Sequence, residues 1–432
     1  MLKPEFICGT LEGFYGRPWR IDQRHQLFQW MEEWDGMNTY MYAPKDDLYH
    51  RSKWRELYPE TELSDLENLT QACHQKNLGF IYAISPGLDI TYSSESDWDT
   101  LKHKANQIQE IGCTQFAILF DDIPSELTPN DQKEFSSIAK AQAQVANKLY
   151  EYLVNADCSL IFCPTVYCGN MADYDISNNL YLNELGNSLN EEIGIFWTGP
   201  EVVSIEIPVD SIQELIQVIK RKPIIWDNLH ANDYDNQQIF FGPYSGRALE
   251  LKKEVSGILS NPNCQFWANY NPLRTLAMYS IASESWNQRQ AFMDSSKEWL
   301  QFFGNDKITH EEAQFLGDCF YLPRQMGEIG EQLVESVRFI MKNNPFEWNS
   351  HLKTFQTLDA NLNSLCMKLM AVTNRDLLYD FYLTLWELRE EMEYVSKWIE
   401  WKQSGKGNFQ SSEIIPRRQG ILYEIQKVIH ST

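Results

Sequence analysis

The sequence lacks the motifs of most metal and cofactor enzymes. It has no CxxC pair, no HExxH and no P-loop, and the stretch GTLEGFYG lacks the spacing of a dinucleotide fingerprint. Its eight histidines form no cluster with zinc spacing, and its nine cysteines are too scattered for a disulfide framework. We therefore expect no metal, no cofactor, and reduced thiols that are mostly buried.

Positive charge and long apolar runs are also scarce. The 37 basic residues against 60 acidic ones give a net charge of −23, which repels phosphate backbones and anionic lipid. The longest apolar runs are too short to cross a bilayer. We therefore expect no nucleic-acid or membrane partner, and a neutral or weakly charged substrate. The start MLKPEFICGT shows no signal peptide, which predicts a cytoplasmic protein, nuclear as well if eukaryotic.

Strand and helix patterns alternate up to about residue 270. Apolar or β-branched runs are separated by amphipathic stretches, a rhythm typical of βα units on a parallel sheet. Eight such units predict an α/β fold, a (β/α)8 TIM barrel. The predicted strands are 6–15, 37–44, 79–87, 114–122, 159–167, 194–200, 222–230 and 265–270.

The pattern becomes purely helical after about residue 300. Apolar residues recur at spacings of three and four, which predicts an all-α helical-bundle domain. The predicted domains are a catalytic barrel, 1–300, and a C-terminal helical stalk, 301–432. The helical patterns occupy roughly 309–321, 324–343, 348–371 and 375–402.

Two adjacent carboxylates, Asp121 and Asp122, end the strand candidate FAILF. Neighbours in a strand point to opposite faces, so both acids can serve one site only where the pleat gives way to a loop. Active sites of such barrels lie at the carboxyl ends of the strands, where aromatic, amide and lysine side chains also collect in this sequence. A plainer alternative is that one acid caps a helix and the other is solvated.

Two carboxylates ringed by aromatic and amide side chains suggest glycoside hydrolysis. Adjacent acids are too close for the usual pair, which flanks the sugar with carboxyl groups about 5 Å or more apart. An N-acetylhexosamine removes this difficulty because its acetamide oxygen can attack the anomeric carbon. The enzyme then needs one acid at the leaving group and one carboxylate at the acetamide N–H.

Eight motifs between residue 6 and about residue 270 resemble, in the same order, glycoside hydrolase family 84, the O-GlcNAcase family. They are GTLEGFYGRPW, NTYMYAPKDDLYHR, FIYAISPGLDI, FAILFDDI, FCPTVYCG, FWTGP, IIWDNLHANDYD and NPNCQFWANY. The resemblance implies a retaining exo-β-N-acetylglucosaminidase that removes O-linked GlcNAc from serine and threonine of proteins or peptides. It implies substrate-assisted catalysis through an oxazoline intermediate, and a chain with barrel and stalk only.

The resemblance also assigns roles to individual residues. Asp121 would orient and polarise the acetamide, and Asp122 would be the general acid and then the base. Two neighbouring carboxylates resist double ionisation, and we expect Asp122 to hold the proton. Tyr167 would donate to the acetamide oxygen. The predicted substrate-binding residues are Gly13, Phe14, Tyr15, Lys45, Tyr167, Trp226, Asp227, Asn228, Asp233 and Asn269.

Plainer roles stay open for three of these residues. Lys45 could pair with Asp46 or Asp47 at the surface. Trp226 could be ordinary core, and Gly13 could supply only a permissive backbone at a turn.

The sequence leaves two alternative functions open and also predicts an oligomeric state. A hexosaminidase or hyaluronidase-like enzyme acting on glycan chains is one alternative, which the missing signal peptide disfavours. A non-catalytic sugar-binding scaffold is another, which the intact acid pair disfavours. The stalk domains of the family pair, and the large apolar residues of this helical domain predict a homodimer. These residues include Phe381, Trp386, Trp398 and Trp401.

Overall fold

A computed structural model describes residues 6–303, 308–405, 409 and 416–430. Within these ranges eight parallel strands form a closed barrel in which each strand pairs with the next. Strand β1 closes the barrel against β8, with Ile7 opposite Gly257. The predicted (β/α)8 barrel is confirmed. Its strands are β1 (Ile7–Glu12), β2 (Thr39–Tyr42), β3 (Gly79–Ile84), β4 (Gln115–Leu119), β5 (Ser159–Cys163), β6 (Gly194–Trp197), β7 (Ile224–Asp227) and β8 (Gly257–Ser260).

Amphipathic helices follow the strands along the chain. The pattern is clearest in the sixth helix, where Ile212, Leu215 and Ile219 are buried at spacings of three and four. The helices are α1 (Ile21–Glu33), α2 (Glu60–Gln75), α3 (Glu95–Glu110), α4 (Ile138–Val154), α5 (Leu180–Ser188), α6 (Val209–Ile219), α7 (Leu251–Glu254) and α8 (Tyr270–Ile281).

The eighth predicted strand, residues 265–270, is wrong. The last strand is the four-residue run Gly257–Ser260, and the predicted segment instead forms a 3-10 turn, Phe266–Asn269, that leads into α8. The segment QFWANY has the aromatic content favoured in strands, but Phe266 is buried as part of a turn. The true strand, GILS, has only two apolar residues, Ile258 and Leu259, between glycine and serine, which is too few to give a strong sequence signal.

Alternate strand residues fill the barrel interior. Ala117 and Leu119 of β4 share one buried cluster with Leu11, Met41 and Leu259 from other strands. Because side chains alternate with a period of two, the inward face of each strand continues two positions beyond its last core residue. Residues just past the strand ends therefore reach the same end of the barrel.

The chain divides into two compact units. The first is Met1–Asp233, Ser245–Cys264 and Leu276–Trp286, and the second is Tyr234–Tyr244, Gln265–Thr275 and Asn287–Thr432. The predicted helical C-terminal region is confirmed, while the domain limits 1–300 and 301–432 stay a prediction. The helices of the second unit include α9 (Gln288–Trp299), α10 (His310–Cys319), α11 (Glu328–Lys342), α12 (Asn349–Met370), α13 (Arg375–Ser404) and α14 (Gly420–His430).

Several expectations about single residues can be compared with the structure. Eight of the nine cysteines are buried and Cys264 is partly buried, as expected. In the ranges given above, no helix combines the length and apolarity needed to span a bilayer. Nor do three or more histidine, cysteine or carboxylate side chains gather there as a group that could hold a metal ion.

Candidate active site

The adjacent acids after β4 differ in backbone conformation. The inward alternation of Ala117 and Leu119 continues to Asp121, which is 7% exposed. Asp122 has a φ of +51°, in the left-handed region, so the pleat ends at this residue. Such a conformation costs a non-glycine residue about 1–2 kcal/mol and is concentrated at functional sites. The next α-helix, α4, is capped by Ser137, so neither acid caps it.

A buried lysine keeps Asp121 ionised. The Lys45 Nζ atom lies 2.5 Å from Asp121 Oδ2, and the two side chains are 2% and 10% exposed. Burial alone would raise the pKa of Asp121, but the charge and hydrogen bond of Lys45, with the charge of Arg51, lower it below its usual value. The surface pairing of Lys45 with Asp46 or Asp47 is therefore wrong.

The second carboxylate oxygen of Asp121 is open to a donor. Its Oδ1 atom is buried and accepts no hydrogen bond from any residue that the structure describes. Buried polar atoms in folded proteins are nearly always paired. An unfilled acceptor at the end of a barrel strand can receive an N–H group of a ligand.

Two other titratable side chains near Asp121 are neutral at pH 7. Burial, and then the charge of Lys45, lower the pKa of His50 to about 4, and its Nδ1 atom lies 2.7 Å from the carbonyl oxygen of Ala83. Burial, and then the charge of Asp121, raise the pKa of the Cys163 thiol well above its usual value. Neither group therefore adds a charge beside the ion pair of Lys45 and Asp121.

The exposed acid Asp122 accepts a hydrogen bond on each carboxylate oxygen. Tyr15 donates its hydroxyl to Oδ2 at 2.9 Å, and Tyr167 donates to Oδ1 at 2.8 Å. Burial, and then the charge of Asp122, raise the pKa of both phenols, so both remain hydrogen-bond donors. Tyr167 was expected to donate to a substrate acetamide, and here it donates to Asp122.

Arg51 contacts the backbone of Asp122 and the hydroxyl of Tyr15, and the sequence did not predict it as a site residue. Its Nη1 atom donates to the Tyr15 hydroxyl oxygen at 2.7 Å, and Nη2 donates to the Asp122 carbonyl oxygen at 3.3 Å. Arg51 shares the motif NTYMYAPKDDLYHR with Lys45. That motif gives no sign of which basic side chain turns inward.

The ends of β1, β7 and β8 are joined by an amide network. Trp226 Nε1 donates to Asn228 Oδ1 at 3.1 Å, and the same oxygen accepts from Asn261 Nδ2 at 2.9 Å. Asn261 Oδ1 in turn accepts from the Gly13 backbone N–H at 3.3 Å. Asn261 was not predicted, because its strand was not recognised. Once β8 is placed, Asn261 is two positions after Leu259, on the inward face.

Trp226 and Gly13 fit closely together. Trp226 is 6% exposed and packs in the barrel core, while Lys45 Nζ lies 5.5 Å from its ring centroid, so a role for Trp226 in substrate binding stays a prediction. A Cβ atom on Gly13 would lie 2.5 Å from Trp226 Cζ2 and 2.6 Å from Leu11 Cδ1. The φ of Gly13 is outside the left-handed region, so close packing, and not a permissive turn, requires glycine there.

Two predicted ligands are closed off from substrate, which corrects their assignment. Asp227 is fully buried, and Arg247 donates to both of its oxygens at 2.7 and 2.8 Å. Phe14 is also fully buried, with its ring centroid 5.4 Å from that of Trp19. Both side chains therefore have their partners inside the protein.

The remaining two predicted ligands belong to different units. Asp233 Oδ2 accepts the Tyr15 backbone N–H at 2.8 Å, so it lies beside the loop after β1. Asn269 belongs to the second unit, where it is fully buried and donates to the Gln265 carbonyl oxygen at 2.9 Å. A role for Asn269 in sugar binding stays a prediction.

Known proteins resemble this chain in sequence and in fold. The sequence profile of the family NAGidase, described as beta-N-acetylglucosaminidase, matches residues 8–316. The Protein O-GlcNAcase of Mus musculus and that of Rattus norvegicus are each 47% identical over 293 residues, which is 68% of this chain and 32% of the mammalian protein. The chain thus spans about a third of the length of these relatives.

A solved structure extends the similarity beyond the barrel. The O-GlcNAc hydrolase of Thermobaculum terrenum, solved as a variant, matches with a TM-score of 0.82 and 29% identity, over 92% of this chain and 84% of that chain. The profile match covers well over half of the sequence. The chain therefore belongs to the beta-N-acetylglucosaminidase family, which confirms its resemblance to the O-GlcNAcases of glycoside hydrolase family 84.

Proposed function

We propose that the protein is a retaining exo-β-N-acetylglucosaminidase that removes O-linked GlcNAc from serine and threonine of proteins. The observation that carries this proposal is the buried carboxylate of Asp121, with Lys45 on one oxygen and the other oxygen open, directly beside Asp122. This arrangement suits an acetamide N–H, and the relatives named above are O-GlcNAc hydrolases.

The first chemical step breaks the glycosidic bond without an enzyme nucleophile. The acetamide oxygen attacks the anomeric carbon while Asp121 Oδ1 accepts the acetamide N–H. The fixed negative charge of Asp121 stabilises the positive charge that develops on the forming oxazoline ring. Asp122 protonates the departing oxygen of serine or threonine, whose alkoxide is a poor leaving group.

The second step opens the oxazoline with water. Asp122, now ionised, takes a proton from a water molecule that attacks the anomeric carbon. The two displacements each invert this carbon, so the β configuration is retained. The hydrogen bonds from Tyr15 and Tyr167 suit this form of Asp122, because an ionised carboxylate accepts on both oxygens. Transfer of the Tyr167 hydrogen bond to the acetamide oxygen frees one Asp122 oxygen for the proton of the first step.

The sugar is held by the amide network and its neighbours. Trp226 walls the acetamide pocket beside Lys45, and Asn228, Asn261 and Asp233 bind sugar hydroxyls at the ends of β7, β8 and the loop that follows. Four of these side chains are already fixed by mutual hydrogen bonds or packing, so little side-chain entropy is lost when the sugar binds.

The substrate requirement provides the first test. The protein should hydrolyse nitrophenyl N-acetyl-β-glucosaminide at least about 100-fold faster than the matching β-glucoside, because the 2-hydroxyl cannot replace the intramolecular nucleophile. Release of nitrophenol under identical conditions measures the ratio. Equal rates contradict substrate assistance, and no turnover of either compound indicates a sugar-binding scaffold. Internal cleavage of long N-acetylglucosamine chains points to the glycan-chain alternative.

The helical unit is the proposed site of homodimerisation. Of the four residues predicted for the interface, Trp386 and Trp401 are half-buried and can still contribute to it. Phe381 and Trp398 are 1% and 7% exposed and form part of the unit's core. The exposed apolar residues of α13 are Tyr379, Tyr382 and Leu383, at 64%, 45% and 56%. Their spacing of three and four residues forms one stripe, and a contiguous exposed apolar face typically marks an interface.

Light scattering checks the dimer. The purified chain at micromolar concentration should give twice its 50.6 kDa mass, and Leu383→Glu should shift this towards the monomer because it buries a charge in the interface. Val154→Glu, at an exposed apolar position of α4, is the matched control and should leave the mass unchanged. A monomeric wild-type protein contradicts the proposal.

The predicted cytoplasmic or nuclear location agrees with substrates that are intracellular modified proteins, and stays a prediction.

A further inference from the structure

Arg51 is a buried cation behind the proposed acid and base, with no carboxylate as its direct hydrogen-bond partner in the contacts described here. The residue is 7% exposed, and its guanidinium contacts the Tyr15 hydroxyl and the Asp122 carbonyl oxygen at 2.7 and 3.3 Å. Its central carbon also lies 5.3 Å from the centroid of the Tyr15 ring. Burying a cation is costly unless it is well paired, so this placement requires a reason beyond packing.

The contact with Arg51 fixes the direction of the Tyr15 hydroxyl. A phenol has one hydrogen, and Arg51 can only donate, so the Tyr15 oxygen must accept from Arg51 and its hydrogen must point elsewhere. The remaining partner is Asp122 Oδ2 at 2.9 Å. Burial raises the pKa of Tyr15, so this hydrogen is present across the neutral range.

The second contact supports an unfavourable backbone conformation. Asp122 is held at a φ of +51°, where L-residues other than glycine are strained. Arg51 Nη2 donates to the carbonyl oxygen of this same residue. The planar guanidinium fork therefore holds the backbone of Asp122 and, through Tyr15, its carboxylate.

We propose that Arg51 is a positioning residue that sets the geometry of Asp122 as general acid and base, acting through Tyr15 and through the Asp122 backbone. This inference rests on the proposed function, since it assigns a role within that reaction. It predicts that replacing Arg51 slows substrates with poor leaving groups more than substrates with good ones. Replacing Asp122 should have the same effect, but larger.

The experiment compares two substrates in Arg51 variants of the full chain. Arg51→Met should lower kcat for a GlcNAc-serine peptide by about 10- to 100-fold, because a misplaced proton donor delays a poor leaving group. It should lower kcat for the nitrophenyl glycoside by less than about threefold, since nitrophenolate leaves without much protonation. KM should change little for either. Arg51→Lys keeps the charge but not the fork, so its losses should be smaller and show the same substrate dependence.

Arg55 offers a matched control in the same loop. Its guanidinium binds Asp89 and Asp97, each at 2.7 Å, and makes no contact with Tyr15 or Asp122 among those the structure describes. Arg55→Met removes two ion pairs, so any loss should reflect stability and be equal for the two substrates. Equal loss on both substrates is the behaviour of an arginine that acts through stability or through the charge of Asp121, and not through the position of Asp122.

A double variant tests whether Arg51 acts through Tyr15. The combined loss in Arg51→Met with Tyr15→Phe should be smaller than the product of the single losses, because both changes disturb one hydrogen-bonded chain. Fully multiplicative losses overturn that path.

The outcomes separate this inference from the proposed function. If the wild-type protein cleaves neither substrate, both fail. If it cleaves both and Arg51→Met slows them equally, as Arg55→Met does, the positioning role is wrong while the proposed function stands. Should Arg51→Met not fold, Arg51→Lys supplies the same comparison.

Discussion

Asp122→Asn should slow hydrolysis of a serine-linked GlcNAc by about 10²- to 10⁴-fold, while an aryl glycoside with a good leaving group loses far less. The amide keeps the size of the side chain and can accept from one of the two tyrosines, but it has no acidic proton for a departing alkoxide. Nitrophenolate needs little protonation, so its release hides most of the defect. The measurement is kcat/KM for a GlcNAc-serine peptide and for the nitrophenyl glycoside.

Asp157 provides a matched control for this substitution. It is also an exposed aspartate with a left-handed backbone, at a φ of +56°. Asp157 lies between α4 and β5, so it is at the opposite end of the barrel from Asp122, which follows the carboxyl end of β4. Asp157→Asn should leave both rates unchanged. If Asp122→Asn reduces both substrates by the same factor, Asp122 is not the general acid, and the proton donor must be sought elsewhere in the barrel.

The sequence was sufficient to predict the acids and the lysine because local pattern determines where they lie. Asp121 continues the alternation of Ala117 and Leu119, so a correctly placed β4 carries it to the inward face. Lys45 follows Met41, an inward residue of β2, by four positions, just as Asp121 follows Ala117. Where strand and alternation were recognised, the predicted side chain is at the site.

The errors follow from tertiary information that a sequence does not contain. Asn261 was missed because β8 contains only two apolar residues, while the aromatic run around Asn269 has a stronger strand pattern and is a turn. Asp227 was assigned to the substrate, but its fate depends on Arg247, twenty residues away, which binds both of its oxygens. Arg51 was missed because its direction depends on its contact with Tyr15.

The helical unit shows a related ambiguity. A period of three and four residues identified the apolar face of α13, and Phe381 of that face is buried. The same helix carries a second stripe at Tyr379, Tyr382 and Leu383, which is exposed. Sequence periodicity alone could not say which face meets the core of the unit and which face is exposed.

Asp121→Asn should slow both the peptide and the aryl substrate, by about 100- to 1,000-fold. The neutral amide still fits beside Lys45, but it no longer supplies the negative charge that stabilises the forming oxazoline. That charge is needed whatever group departs, so the loss should not depend on the leaving group. This insensitivity distinguishes Asp121 from Asp122 in the same pair of assays.

Lys45→Met tests whether the ion pair is what keeps Asp121 charged. With the ammonium gone, burial dominates and the pKa of Asp121 rises, opposed by the charge of Arg51 and by a hydrogen bond from the backbone of Asp121, since His50 and Cys163 are neutral there. The carboxyl is then largely protonated at neutral pH, and the variant should lose about as much activity as Asp121→Asn. Increasing pH ionises the carboxyl again, so activity should return as pH rises.

The ratio of variant to wild-type rate reveals this recovery, because it cancels every effect of pH that the two proteins share. For Lys45→Met the ratio of kcat/KM on the aryl glycoside should climb with pH, whereas for Asp121→Asn it should stay flat, since an amide has no proton to lose. Lys252→Met is the control: that ammonium donates to the carbonyl oxygens of Tyr279 and Ser280 and to no carboxylate in the contacts described here, so its ratio should also stay flat. A flat ratio for Lys45→Met would mean that Asp121 remains ionised without its partner, and the large loss would then have to come from a direct contact between Lys45 and the sugar.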